Sequence, residues 1–239
     1  MPSPFSAANS TSIRDMFAGV APRYDLANQV LSFGRDRHWR KYVCQQVAAW
    51  KPARILDLAT GSGVLAKELA RTNSGSFVVG ADFCVPMLKV ARKRQVEHLV
   101  VADGLVLPFA DASFDVITVA FGLRNMAFLE RALAEMARTT RSGGHIVILD
   151  FSLPSGPLLP AYRFYLHFVL PRLAGWLTGE PAAYEYLGES IESFPRGTAM
   201  TALIEEAGFV NAVARPLSGG IVTAYLAERE TSENERERA

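Results

Sequence analysis

From Ala53 to Asp150, short apolar runs alternate with stretches whose apolar residues return every three or four positions, the two periods of buried strand and amphipathic helix. The runs that read as strands are Ile55 to Ala59, Phe77 to Ala81, His98 to Ala102, Phe114 to Ala120 and His145 to Asp150. Helices are predicted near Arg37 to Trp50, Gly63 to Arg71, Pro86 to Arg94 and Phe128 to Thr140, the last closed by Ser142-Gly143-Gly144 as a glycine stop. Alternation of this kind demands right-handed crossovers and a parallel sheet with both faces covered. Two more strands follow, Phe209 to Arg215 and Ile221 to Leu226. Only Pro216-Leu217-Ser218-Gly219-Gly220 joins them, too short for a helical crossover, so they must be antiparallel. The expected class is α/β, a seven-stranded, mostly parallel, Rossmann-like sheet with an antiparallel last strand.

Leu158 to Leu177 breaks the alternation, being mostly apolar and aromatic. Two prolines, Arg163, Arg172 and His167 interrupt it, so it is not a membrane span. Read as part of a helical insertion over about 155–190, it either covers a greasy substrate or touches a bilayer surface, or else packs as an ordinary core helix. The rest divides into a disordered N-terminus over 1–12, a single domain over 13–227 and a charged tail over 228–239 in which Glu and Arg alternate. With 239 residues, 49% hydrophobic and 21% charged, one core suffices. Lys+Arg 25 against Asp+Glu 24 leaves no basic excess, which argues against a nucleic-acid partner. Cys44 and Cys84 have no zinc or C-x-x-C spacing, and Met1 to Ser12 lacks the apolar core of a signal peptide. A reducing cytoplasm and no structural metal are expected.

Candidate chemistry gathers where the strands end. The first strand runs into Thr60-Gly61-Ser62-Gly63, whose glycines let backbone turn tightly against a ligand. Asp82 follows Gly63 by nineteen residues, the spacing at which a carboxylate accepts from ribose hydroxyls, and Asp103-Gly104 ends the third strand, placed to accept from an adenine amino group. Ala66 makes the loop fit G-x-G-x-x-A as well, which keeps a dinucleotide as the alternative. Asp57 weighs against it: a carboxylate at the strand tip would oppose a pyrophosphate, whereas S-adenosylmethionine offers an ammonium and a sulfonium. The closing antiparallel hairpin agrees, since class I S-adenosylmethionine-dependent methyltransferases add one to a Rossmann-like sheet.

Further motifs stand in order along the chain: Val20-Ala21-Pro22-Arg23-Tyr24-Asp25, Leu31-Ser32-Phe33-Gly34, Leu107-Pro108-Phe109, Ser113-Phe114-Asp115, Gly122-Leu123-Arg124-Asn125, Asp150-Phe151-Ser152 and Tyr186-Leu187-Gly188-Glu189-Ser190. With the glycine loop, the chain from about Ile13 to Leu226 resembles the menaquinone and ubiquinone biosynthesis C-methyltransferase family. The resemblance implies metal-free transfer of a methyl group from S-adenosylmethionine to a ring carbon of a prenylated demethylquinol. It also implies cofactor contacts at Ser62, Asp82 and Asp103-Gly104. Many members have Gly-Thr-Gly-Asp where this chain has Gly61-Ser62-Gly63-Val64, and some have serine where Ala120 stands, so a contact at Ala120 must come from backbone.

An aromatic carbon attacks such a methyl well only when an adjacent hydroxyl has ionised, and a phenol near pKa 10 needs a fixed cation or a base for that. Arg124, just past the fourth strand, is the candidate cation; it stays protonated and serves to stabilise the phenolate and orient a water that Asn125 holds. Tyr24 is the candidate cap on cofactor or quinol, and Asp150 the candidate base, with loop capping as its other reading. An ion pair is the competing role for Arg124, plain packing for Tyr24, and His145 reads as structural. Naphthoquinol and benzoquinol acceptors, and monomer and homodimer, stay open. So do an NAD oxidoreductase, a methyltransferase for another small molecule, and a noncatalytic cofactor-binding module. Amino-methylation of nucleic acid is disfavoured because Ala120-Phe121-Gly122-Leu123 lacks the Asn/Asp-Pro-Pro-aromatic signature.

Overall fold

The computed structural model describes Gln29, Ser32, residues 34–172 and residues 181–231, without the side chains of 181–185. The expected N-terminal segment 1–12, Tyr24 and most of the charged tail lie outside these. Helix α1 (Asp36–Trp50) leads into β1 (Arg54–Leu58), α2 (Val64–Thr72), β2 (Phe77–Asp82), α3 (Val85–Lys93), β3 (His98–Val101) and β4 (Phe114–Ala120). After a 3-10 turn (Leu123–Asn125) come α4 (Leu129–Thr139), β5 (Thr140–Phe151), α5 (Leu158–Phe164) with a π-helical turn (Tyr165–Val169), α6 (Pro181–Ser193), α7 (Thr198–Glu206), β6 (Phe209–Leu217) and β7 (Val222–Arg229).

The seven strands form one sheet in the order β3-β2-β1-β4-β5-β7-β6, parallel except that β7 is antiparallel to both neighbours. The pleat divides the strand residues between two layers. Leu56, Leu58, Ile117, Val119, Ile146 and Ile148 pack with α4 and α7, while Ile55, Val116, Val147 and Leu149 pack with α1 and α2. Covering both faces explains why these strands read as nearly unbroken apolar runs. His145 stacks on Trp50 with ring centroids 4.1 Å apart, the structural role expected of it.

The glycine stop after the fourth helix requires correction. That helix ends at Thr139, and Thr140 already pairs with Phe114, so Ser142-Gly143-Gly144 lies inside β5 at an irregularity opposite Asp115. Gly143 takes φ +69°, and a Cβ on Gly144 would lie 2.8 Å from the Asp115 carbonyl oxygen. The pair is therefore needed for a tight strand bulge. β7 also runs to Arg229, two residues past the expected domain end.

The two readings of the apolar insertion divide between its faces. Leu166 and Leu170 join Leu153 and Ile191 in a small third core, whereas Leu158, Phe164 and Phe168 are each more than half exposed. No described helix is long and apolar enough to cross a membrane.

Candidate active site

The strand order reverses between β1 and β4, and a crevice opens there beyond their C-terminal ends, where α/β sheets bind ligands. Both strands exit through left-handed residues, Ala59 at φ 54° and Phe121 at φ 60°, a conformation that a bulky side chain adopts only under local constraint. The two exits touch: a Cβ on Gly122 would come within 2.4 Å of the Ala59 Cβ, so only glycine fits. The Phe121 ring packs into an aromatic group with Trp39 and Phe151, 6.0 and 4.6 Å away between centroids. The crevice that remains encloses about 820 Å³, including its open mouth.

Of the residues singled out in the sequence, Gly61, Asp82, Asp103, Gly104, Ala120 and Asn125 line this crevice. Sequence reasoning missed Met87 and Met126, which also line it, the latter packed directly over Gly104. Asp57, Ser62 and Gly63 stand behind the wall. Gly63 caps α2 at φ +76°, and its missing side chain lets Ala91 and Val96 of the neighbouring segment approach. The Ser62 carbonyl accepts from Arg94 Nε at 2.9 Å.

Asp57 is buried and accepts from the Thr60 and Thr118 hydroxyls at 2.6 and 2.8 Å. Burial, only partly offset by those hydroxyls and by Arg40, pushes its carboxyl up to about 6. The negative wall that Asp57 was expected to provide comes instead from Asp82 and Asp103. Asp82 Oδ2 accepts from the Gly61 amide at 2.8 Å and Oδ1 from the Cys84 amide at 2.8 Å, while burial shifts its carboxyl upward. The Gly63 amide is likewise committed, to the Thr60 carbonyl at 2.9 Å. With these amides occupied, two carboxylates on the wall and no Lys or Arg among the described lining residues, the crevice repels a pyrophosphate and suits a cationic nucleoside. With the Phe83 amide also bonded to it, the Asp82 carboxylate keeps acceptor capacity for a ribose hydroxyl.

The 3-10 turn past β4 brings Arg124 onto Asp150, the ion pair named as its competing role. Arg124 Nη1 donates to Asp150 Oδ1 at 2.6 Å and to the Phe121 carbonyl at 2.7 Å, with both side chains almost fully buried. Asp150 also accepts from the backbone amides of Phe151 at 2.8 Å and Arg124 at 3.3 Å. A carboxylate so engaged is an anchor for Arg124 and a poor free base. The Arg124 guanidinium lies over the Phe151 ring, 5.2 Å from its centroid. Asn125 donates weakly to the Phe121 carbonyl at 3.4 Å. Arg124 Nε, Asn125 Oδ1 and the Tyr186 hydroxyl are buried with no hydrogen-bond partner among the described residues.

Residues 5–229 match the model of the ubiE/COQ5 methyltransferase family. A demethylmenaquinone methyltransferase of Thermus thermophilus is 47% identical over 201 residues, covering 81% of this chain and 91% of its own length. One from Mycolicibacterium paratuberculosis is 44% identical over 222 residues, covering 92% and 95%. The fold matches a solved S-adenosylmethionine-dependent methyltransferase of Thermotoga maritima, described as a possible histamine N-methyltransferase, at a TM-score of 0.62 and 16% identity, over 91% of this chain and 100% of that one.

Proposed function

The chain belongs to the ubiE/COQ5 methyltransferase family, and from that premise we propose that it methylates a ring carbon of demethylmenaquinol, using S-adenosylmethionine, to give menaquinol. One observation carries the chemistry: an acidic crevice that disfavours phosphate adjoins a buried arginine with an unused N–H. The acceptor is taken from the relatives named above.

When bound, S-adenosylmethionine supplies an electrophilic methyl on sulfur. Asp82 suits its ribose hydroxyls, Asp103 its adenine, and Gly61, Gly104 and the Ala120 backbone shape the walls. Arg124 acts on the acceptor. Because Asp150 and the Phe121 carbonyl fix Nη1, the guanidinium is held in one orientation and Nε remains to donate to a developing phenolate or to a water beside it. Asn125 Oδ1, also unused, accepts from that water or from the quinol hydroxyl before ionisation. Asp150 serves as the positioning residue for Arg124, and solvent takes the protons. The ring carbon gains the methyl as the S–CH3 bond breaks, the bonding pair stays on sulfur, and loss of the ring proton restores aromaticity.

The insertion formed by α5 and α6 reaches the turn that carries Arg124 through α6, and its outer face, Leu158, Phe164 and Phe168 flanked by Arg163 and Arg172, suits a bilayer surface from which a prenylated quinol is drawn. The test is turnover of S-adenosylmethionine with chemically reduced demethylmenaquinol, and separately with its demethylated benzoquinol counterpart, in detergent, with products identified by mass. Methylated naphthoquinol is expected. Product only from the benzoquinol moves the enzyme to the ubiquinone pathway, and none from either acceptor overturns the quinol assignment.

A further inference from the structure

The segment Tyr186-Leu187-Gly188-Glu189-Ser190 is a motif to which the reaction above gives no task. It lies on α6, which packs against the 3-10 turn carrying Arg124 and Asn125. Among the described residues, the buried side-chain polar atoms without a hydrogen-bond partner are Arg124 Nε, Asn125 Oδ1 and the Tyr186 hydroxyl. All of them fall on these two adjoining elements. A buried polar atom left unsatisfied costs about 1 to 3 kcal/mol, and folded proteins hold few of them. Independent packing defects do not account for their meeting at one junction. A ligand that brings both a donor and an acceptor satisfies all three.

We propose that the Tyr186 hydroxyl is an acceptor-binding group that donates to a ring oxygen of the quinol, jointly with Arg124 Nε. The proposal rests on the quinol reading given above. The three atoms offer a fixed N–H, a fixed carbonyl oxygen and a hydroxyl able to play either part. A quinol hydroxyl is served by that set in both of its states. Un-ionised, it donates to Asn125 Oδ1; ionised, it accepts from Arg124 Nε and Tyr186 O–H. Tyr186 is suited to remain the donor, because burial raises its pKa, and of the charges that bear on it Arg124 lowers and Asp150 raises that value. Two donors on the phenolate favour the ionised form more than the paired guanidinium does alone.

Tyr186→Phe removes the hydroxyl and keeps the ring. Wild type and variant are compared for kcat and KM with demethylmenaquinol across pH, for S-adenosylmethionine Kd by calorimetry, and for Tm. The expected result is a fall of tenfold or more in kcat/KM for the quinol, with its rise with pH displaced to more alkaline values. Donor Kd is expected to stay within twofold, and Tm to be unchanged or higher because an unsatisfied atom has gone. A kcat/KM within twofold of wild type with an unmoved pH profile overturns the proposal. So does a lower Tm with donor binding lost in parallel, which marks a structural hydroxyl, for instance one bridged by water. A wild-type enzyme that methylates no quinol fails the reading beneath it instead, and the two failures are distinguishable.

Discussion

Asp57 sits where β1 meets its glycine loop, and its two threonine partners tie that loop to the base of the crevice. A carboxyl raised from 3.8 to about 6 holds its proton in the folded chain at pH values where the unfolded chain has already released it. The contribution of Asp57 to folded stability therefore falls as pH rises from about 4 to about 6 and is level above. Asp57→Asn has no such proton to lose, and the threonine hydroxyls can turn to accept from its amide. In urea titrations across pH 4 to 7.5, the stability of Asp57→Asn relative to wild type should increase over that window by up to about 3 kcal/mol and then stay constant. A difference that does not change with pH refutes the shift. The sequence showed a carboxylate at this strand tip but not its direction: β1 alternates faces, and its pairing with β4 brings Thr118 opposite Asp57 and away from the crevice. Asp82 and Asp103 were legible because each leaves its strand just where the wall begins.

A helix can be amphipathic between two apolar environments, and α5 with its π-helical turn is such an element. Tyr162 and Leu166 face inward, the former with burial pushing its hydroxyl pKa up, while Phe164 and Phe168 stack on each other on the outside, 5.1 Å between centroids. The apolar run was plain in the sequence, but an apolar residue looks the same whether it meets a core or a bilayer, so only tertiary packing separates the faces. The misread glycine stop has the same origin, since a glycine after a helix fits a cap or a bulge until Thr140 is seen to pair with Phe114. The outer face bears Arg163 and His167, both bridged to Glu192 at 3.1 and 3.3 Å, and Arg172 beyond. Removing its aromatics should leave the inner core intact. Phe164→Ser/Phe168→Ser is expected to sediment with vesicles containing anionic phospholipid at least fivefold less than wild type, with turnover of a short-tailed quinol in detergent within twofold. Equal sedimentation of the two proteins removes the bilayer-contact reading.

At the scale of the whole molecule, the crevice exists because the chain lays β1, β2 and β3 outward in one direction and then returns to place β4 on the other side of β1. Strand periods predicted the elements and the final antiparallel pair, but that return is a non-local pairing that periodicity does not encode. Its consequence is that residues from β1, β2, β3 and β4 exits all border one crevice, so a ligand bound there would tie the parallel half of the sheet together. A ligand that binds only the folded chain stabilises it by about 2.7 kcal/mol at a hundred times its Kd. For a domain of this size that corresponds to a rise of roughly 5 to 10 °C in Tm. The wall's charge decides which nucleoside achieves it. S-adenosylmethionine would bring two cationic centres and no phosphate into a crevice whose wall carries Asp82 and Asp103, whereas NADH would bring a pyrophosphate into the same negative field, beside loop amides already bonded within the protein. Thermal melts with saturating S-adenosylmethionine should show that rise, and melts with NADH at equal concentration should show none. A shift from NADH alone would mean that the crevice accommodates a pyrophosphate despite its carboxylates, and the charge argument for the methyl donor would fall with it.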